Sequence, residues 1–140
     1  MAERRLVLDA NILIRAVLGT RVRKLIERHS AAVAMIAPDA AFADLDRYMP
    51  EIFAKRGLSP AAALPVIERL RAAVYELSVA AYADRESDAR ARIGIRDMDD
   101  WPVVASALVL DCPIWTEDRD FFGSGVPTWT TDRVELYLVG

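Results

Sequence analysis

The chain has 140 residues, 54% of them hydrophobic, and a formal net charge of -3. This length suits one domain with one core, which we expect over residues 1–140. No apolar run reaches the roughly 18 residues of a membrane span, and the N-terminus lacks the long apolar centre of a secretory signal, so we expect a soluble, cytoplasmic protein. The single cysteine, Cys112, excludes an internal disulfide framework and a cysteine-rich zinc site.

The first part of the chain alternates strand and helix patterns. The apolar run at 6–8 predicts a strand, and the wider apolar spacing in NILIRAVL predicts a helix that Asn11 is placed to cap and Gly19 to end. A second helix starts at Thr20. The unbroken apolar run at 31–38 then predicts a strand that is covered on both faces.

The rest of the chain continues this alternation. Asp39 is expected to cap a long helix that ends at Gly57 and that Pro50 kinks or splits. The remaining predicted elements are a helix from 59–60 to 73, a strand at 74–79, a helix at 80–94, a helix after the acidic run 97–100, strands at 112–116 and 127–129, and a C-terminal helix capped near Asp132. Strands alternating with helices imply right-handed crossovers, so we predict a three-layer α/β fold with a Rossmann-like, central parallel sheet of about five strands.

Basic residues are concentrated at a few places despite the negative net charge. Arg21, Lys24 and Arg28 share one helical face. Two interpretations stay open, a solvated helix face and a contact surface for a polyanion, since the planar guanidinium of arginine suits phosphate. The only histidine, His29, lies in this basic helix and is expected to be solvated, so catalysis by a histidine has no support.

Aspartates stand at strand ends or helix starts in four places: Asp9, the region 39–44, the run 97–100, and the segment 118–120. Helix capping explains some aspartates of the chain, above all Asp39 and, outside these four places, Asp132. In a doubly wound sheet, however, the strand before Asp118 should lie beside the strand before Asp9. Two carboxylates about 4 Å apart repel by roughly 4 kcal/mol at an effective dielectric of 20, so such a cluster needs protons or a cation.

Oxygen ligands without cysteine or a usable histidine select a hard cation, and Mg²⁺ or Mn²⁺ is the natural choice. A carboxylate-bound Mg²⁺ activates water and stabilises charge on a phosphoryl group. The acidic pattern therefore predicts hydrolysis of phosphodiesters.

Three motifs, VLDANIL at 7–13, DDWPVVASAL at 99–108 and WTEDRDF at 115–121, together resemble the PIN domain over nearly the whole chain. PIN domains are metal-dependent nucleases, and the small bacterial ones are often toxins of VapC-type toxin–antitoxin pairs that cleave RNA. The resemblance implies an Mg²⁺- or Mn²⁺-dependent endoribonuclease, a homodimer, and a small antitoxin partner whose arginine enters the acidic pocket.

The resemblance also implies a set of site residues. Asp44 stands where the family usually has glutamate, with Asp39 or Asp46 as alternatives. The implied residues are Asp9, Asp44, Asp100 and Asp118 for catalysis; Asp9, Asp97, Asp100 and Asp118 for the metal; Asn11, Thr116 and Asp120 for support of these carboxylates; and Arg15, Arg21, Arg96 and Arg119 for RNA binding.

Two other functions stay open. In the first, Asp9 is phosphorylated, as in haloacid-dehalogenase-like phosphatases or response-regulator receivers. Against it, the phosphatases have an acid where Asn11 stands, and receivers need a lysine after a later strand, whereas Lys24 and Lys55 are the only lysines. In the second, the acidic pocket has lost its metal affinity through Asp44, and the protein is a non-catalytic binding module.

Overall fold

The computed structural model describes residues 3–94 and 98–140. Within them lie five strands, β1 (Arg4–Leu8), β2 (Val33–Pro38), β3 (Tyr75–Leu77), β4 (Ile114–Trp115) and β5 (Thr128–Trp129). All neighbours pair in parallel, in the order β3-β2-β1-β4-β5. The predicted α/β fold with a central parallel sheet of five strands is confirmed.

Helices connect these strands and cover both faces of the sheet. They are α1 (Ala10–Leu18), α2 (Arg21–His29), α3 (Asp39–Lys55), α4 (Ala63–Ala73), α5 (Val79–Tyr82), α6 (Glu86–Ile93), α7 (Trp101–Leu110) and α8 (Val134–Leu138). Short 3₁₀ turns occupy Pro60–Ala62, Ala83–Arg85, Met98–Asp100 and Arg119–Phe121. In the described ranges, no helix combines the length and the apolarity needed to cross a bilayer.

The core forms two layers because side chains alternate along each strand. Leu6 and Leu8 of β1 point to one face, where they pack with buried residues of α1, α2, α3, α4 and α8. Val7 points to the other face, where it packs with α5, α6 and α7. Cys112 is buried in this second layer, as a small apolar residue would be. Alternation along β1 therefore explains the three-layer arrangement.

Helix α3 runs without interruption through Pro50, so the prediction that the proline splits the helix is wrong, whereas a kink at Pro50 stays a prediction. The exposed Pro50 removes one backbone donor, but Leu45, Met49 and Phe53 are buried on the opposite side of the helix. This packing holds the helix together across the proline.

The predicted helix caps were wrong at three places. Asp9, and not Asn11, caps α1 by accepting a hydrogen bond from the Ile12 amide at 2.9 Å. Asp39 is the first residue of α3, and its carboxylate accepts from the Val79 amide and the Tyr82 hydroxyl, so it ties α5 to α3.

The third cap is at the C-terminal helix. Helix α8 starts at Val134, and Asp132 instead pairs with Arg21 at 3.0 Å. The expected solvated position of His29 is also wrong, because only 9% of this residue is exposed and its Nε2 lies 3.1 Å from Glu135 Oε2. The histidine is therefore turned toward Glu135 of α8 and away from solvent.

Candidate functional site

Asp9 lies at the carboxyl end of the central strand and is buried, with 4% of its surface exposed. Its Oδ1 accepts from the Ile12 amide, and its Oδ2 accepts from the hydroxyl of Thr116. Because β1 and β4 are adjacent, the backbone places Thr116 directly beside Asp9. Both oxygens of the carboxylate are therefore held in one orientation.

The electrostatic environment of Asp9 disfavours its charge. Burial raises its pKa to about 6, and the negative charges of Asp118 and Glu117 add to this rise. The hydrogen bonds from Thr116 and from the Ile12 amide act in the opposite direction. A buried carboxylate with a strongly raised pKa at the carboxyl edge of a parallel sheet is a functional-site candidate.

The loop after β4 supplies the other acids next to Asp9. The Thr116 hydroxyl also accepts from the Asp118 amide at 2.9 Å, so one side chain orders both Asp9 and the loop. Asp118 is half-buried, and its Oδ1 accepts from the Asp120 amide at 2.9 Å. Asp120 is half-buried in the same turn, and its backbone amide is the donor of this hydrogen bond.

Two further acids start from the same edge of the sheet. Helices that connect parallel strands begin at the carboxyl edge, which places Asp100 there, immediately before α7. Asp44 lies about 8 Å along α3 from its first residue. Asp44 is exposed; partial desolvation raises its pKa, Arg47 opposes this, and the charge of Asp99 adds to it. The charges of Asp44 and Asp99 therefore act on each other across two elements.

Four of the remaining predicted residues are exposed to solvent, and two lie outside the described part of the chain. Asn11 is exposed in the first turn of α1, and Arg15, Arg21 and Arg119 are exposed. Asp97 and Arg96, predicted for the metal and for RNA, lie outside the described residues. Within residues 3–94 and 98–140, no three His, Cys, Asp or Glu side chains form a group arranged to hold a metal ion.

Sequence reasoning missed two residues of this region, Glu117 and Thr131. Glu117 raises the pKa of Asp9, and its Oε2 accepts from the Thr131 amide at 2.6 Å. The Thr131 hydroxyl in turn accepts from the Trp115 indole at 3.1 Å. The position of Glu117 inside WTEDRDF was a signal that could have identified it, whereas Thr131 had none, since its partners are 14 and 16 residues away.

The chain is thus an α/β protein with an all-parallel sheet, and a cluster of acidic side chains lies at the carboxyl edge of this sheet around the buried Asp9. The chain belongs to the PIN domain family, because the family model described as PIN domain matches residues 7–139. The recognition made from the three sequence motifs is thereby confirmed. Among curated protein sequences, none shows significant similarity to this chain.

Solved structures share the fold at low sequence identity. VapBC2 from Rickettsia felis, bound to a promoter DNA fragment, matches with a TM-score of 0.67 and 10% identity, over 90% of this chain and 98% of that chain. DNA-bound VapBC from Salmonella typhimurium matches with 0.69 and 17%, over 91% and 98%. VapBC-1 from nontypeable Haemophilus influenzae matches with 0.62 and 16%, over 91% and 98%. The whole PIN fold is therefore present.

Proposed function

We propose that the protein is a divalent-metal-dependent endoribonuclease that hydrolyses RNA phosphodiester bonds, and that it is the toxin of a toxin–antitoxin pair. The observation that carries this proposal is Asp9, a buried carboxylate facing two further negative charges at the carboxyl edge of the sheet. Membership of the PIN domain family supports a nuclease. The resemblance to VapC-type toxins and the similarity to VapBC structures support a toxin.

The residues at this edge fit Mg²⁺ or Mn²⁺ by their donor chemistry. Mg²⁺ keeps several waters and is held by one or two carboxylates together with substrate phosphates. Asp9 and Asp118 would form such a pair, and a cation beside them would offset both the burial that mainly raises the pKa of Asp9 and the added repulsion from Asp118. We infer that Asp100 and Asp97 complete the set of ligands.

When bound, the ion would activate a water and stabilise charge on the phosphoryl group. The chain's own residues would position the reacting groups. Thr116 and the Ile12 amide hold the Asp9 carboxylate, and Thr116 also fixes the backbone that carries Asp118. Asp44, whose raised pKa favours accepting a proton, would orient the attacking water. Asn11 and Asp120 would support the carboxylates from the rim of the site.

The test is RNA cleavage by the purified protein. We expect degradation with Mg²⁺ or Mn²⁺, none with a chelator, and a loss of at least about 100-fold in Asp9→Asn. Asp84→Asn is the matched control, because Asp84 is exposed on the 3₁₀ turn Ala83–Arg85. Cleavage that survives Asp9→Asn would refute the assignment of the site.

We further infer an antitoxin partner and a homodimer, supported by the apolar segment LSPAAALPVIERL at 58–70. Leu58 and Leu64 in this segment are 50% and 59% exposed, so both side chains are available to a partner. We expect light scattering to give a dimer at micromolar concentration and Leu64→Lys to weaken it. Val109→Lys, at a 39% exposed position, is the control. A monomer in the unmodified protein would contradict the dimer.

A non-catalytic binding module is the second candidate. It is favoured by the finding that, among the described residues, no three His, Cys, Asp or Glu side chains are arranged to bind a metal ion. RNA binding without cleavage under Mg²⁺ and Mn²⁺, and no change of the unfolding midpoint on adding either ion, would support this candidate over the nuclease.

A further inference from the structure

A basic groove runs beside the acidic site, between α1, α2 and the segment that follows β5. Two adjoining cavities of about 260 and 460 Å³ form it, and both are lined by Arg21 and Thr131. We define the basic groove by six lining residues, Arg15, Arg21, Lys24, Arg28, Arg56 and Thr131.

The groove carries a surplus of positive charge on a chain whose net charge is -3. Its five basic residues face two acids, Asp132 and Glu135, which gives a local charge of about +3. Arg21 pairs with Asp132 at 3.0 Å, and Arg28 lies 3.6 Å from Glu135. Both pairs are exposed, so they hold these arginines weakly and leave most guanidinium donors available.

The other three cations of the groove have no acidic partner among the described residues. Across residues 3–94 and 98–140, Arg15, Lys24 and Arg56 make no ion pair. An arginine or lysine held at a concave surface without a carboxylate is suited to an anionic ligand. On α2, the spacing of Arg21, Lys24 and Arg28 places them on one face over about 10 Å.

The groove is joined to the acidic site through Thr131. The Thr131 amide donates to Glu117 at 2.6 Å, and Glu117 stands between Thr116 and Asp118. At the other side, Arg15 lies about 9 Å along α1 from Asp9, which caps that helix. Thr131, which lines both cavities of the groove, is therefore hydrogen-bonded to a residue whose charge acts on Asp9.

We propose that the basic groove binds the sugar–phosphate backbone of single-stranded RNA and so holds the strand that enters the acidic site. This proposal rests on the proposed ribonuclease function, because the bound strand is the substrate. The acidic site repels RNA phosphates, so affinity must come from cations outside it. Arg15, Lys24 and Arg56 contact RNA phosphates without giving up an ion pair. Arg21 and Arg28 contact phosphates in place of their exposed partners Asp132 and Glu135.

The groove can be tested by binding without cleavage. The probe is a fluorescein-labelled oligouridine, followed by fluorescence anisotropy in EDTA between about 50 and 200 mM salt. The test variant is Arg15→Gln/Lys24→Gln/Arg56→Gln, with Lys24→Gln alone as a mild variant. Arg85→Gln is the matched control, since Arg85 is exposed on the 3₁₀ turn Ala83–Arg85, away from the groove. Thermal unfolding checks that each variant is folded.

Each phosphate contact to a single strand contributes about 0.7 to the slope of log affinity against log salt, or about fivefold in affinity near 0.1 M salt. We therefore expect the triple variant to bind about 100-fold more weakly with a slope smaller by about 2, Lys24→Gln to lose about fivefold, and Arg85→Gln to match the unmodified protein. Unchanged binding by the triple variant overturns the proposal. So does equal weakening by Arg85→Gln, or a groove-dependent preference for polyglutamate over RNA.

The two proposals fail in different ways. Groove-dependent RNA binding by a protein that cleaves no RNA with Mg²⁺ or Mn²⁺ would refute the nuclease and support the groove. Cleavage that depends on Asp9, together with normal RNA binding by the triple variant, would refute the groove alone.

Discussion

Replacing Asp9 by asparagine should make the metal-free protein more stable while it removes activity. Asparagine keeps the shape of the side chain. Its Oδ1 can still accept from the Ile12 amide, and its Nδ2 can donate to the Thr116 oxygen that now donates to Asp9. The substitution therefore removes a buried charge and keeps a hydrogen bond at each position of the former carboxylate, but the buried Thr116 hydroxyl proton loses its acceptor.

The size of the effect follows from the pKa of Asp9, which rises from 3.8 to about 6 on folding. Between these values the folded chain binds more protons than the unfolded chain, so stability falls as the pH rises from about 4 to about 6. Above pH 6 the full difference of about 2 pKa units acts against folding, or about 3 kcal/mol. The Thr116 hydroxyl without its acceptor costs about 1 kcal/mol, so Asp9→Asn should gain about 2 kcal/mol, which corresponds to a melting temperature higher by about 4–8 °C.

The assay is thermal or urea unfolding in EDTA from pH 4 to pH 8, with Asp84→Asn as the control for an exposed aspartate. We expect the stability of Asp9→Asn relative to the unmodified protein to grow between pH 4 and 6 and then to level off. A variant less stable at pH 7.5, or a gain that does not depend on pH, would show that Asp9 is not the buried charge described above.

Three further predictions concern the same site. Thr116→Val should lower the free energy of unfolding at pH 7.5 by about 2 kcal/mol, measured in urea, whereas Thr116→Ser keeps the hydroxyl and should lose far less. Glu117→Gln and Asp118→Asn should each lower the pKa of Asp9 in an NMR titration, with the larger effect from Asp118; an unchanged value would mean that neither charge reaches Asp9. Mg²⁺ at about 100 times its dissociation constant should stabilise the unmodified protein by about 3 kcal/mol and leave Asp9→Asn unaffected, as thermal unfolding would show.

The fold was predictable because hydrophobic period and strand order are strong signals. The run at 6–8 became the central strand, and the predicted helix at 80–94 contains α6 and most of α5. Adjacent strands also explain why Asp9 and Asp118 act on each other, since β1 and β4 are paired. Topology alone thus located the acidic edge.

Local detail was less predictable because it depends on backbone angles and on contacts far apart along the chain. Asp9 caps α1 because its backbone is extended, at φ -82° and ψ 171°. The sequence does not reveal these angles, so residue type alone could not decide between Asp9 and Asn11. His29 is buried by a contact with Glu135, 106 residues later. The link from Thr131 to Glu117 likewise exists only after β4 and β5 have paired.

The contact between Asp9 and Thr116 joins residues 107 positions apart, at the ends of the paired strands β1 and β4. During synthesis, the first aspartate leaves the ribosome long before its hydroxyl donor is translated. Pairing over such a separation is slow and comes late in folding. A chain truncated before residue 116 therefore lacks the hydroxyl donor of Asp9, and the order of this carboxylate depends on β4.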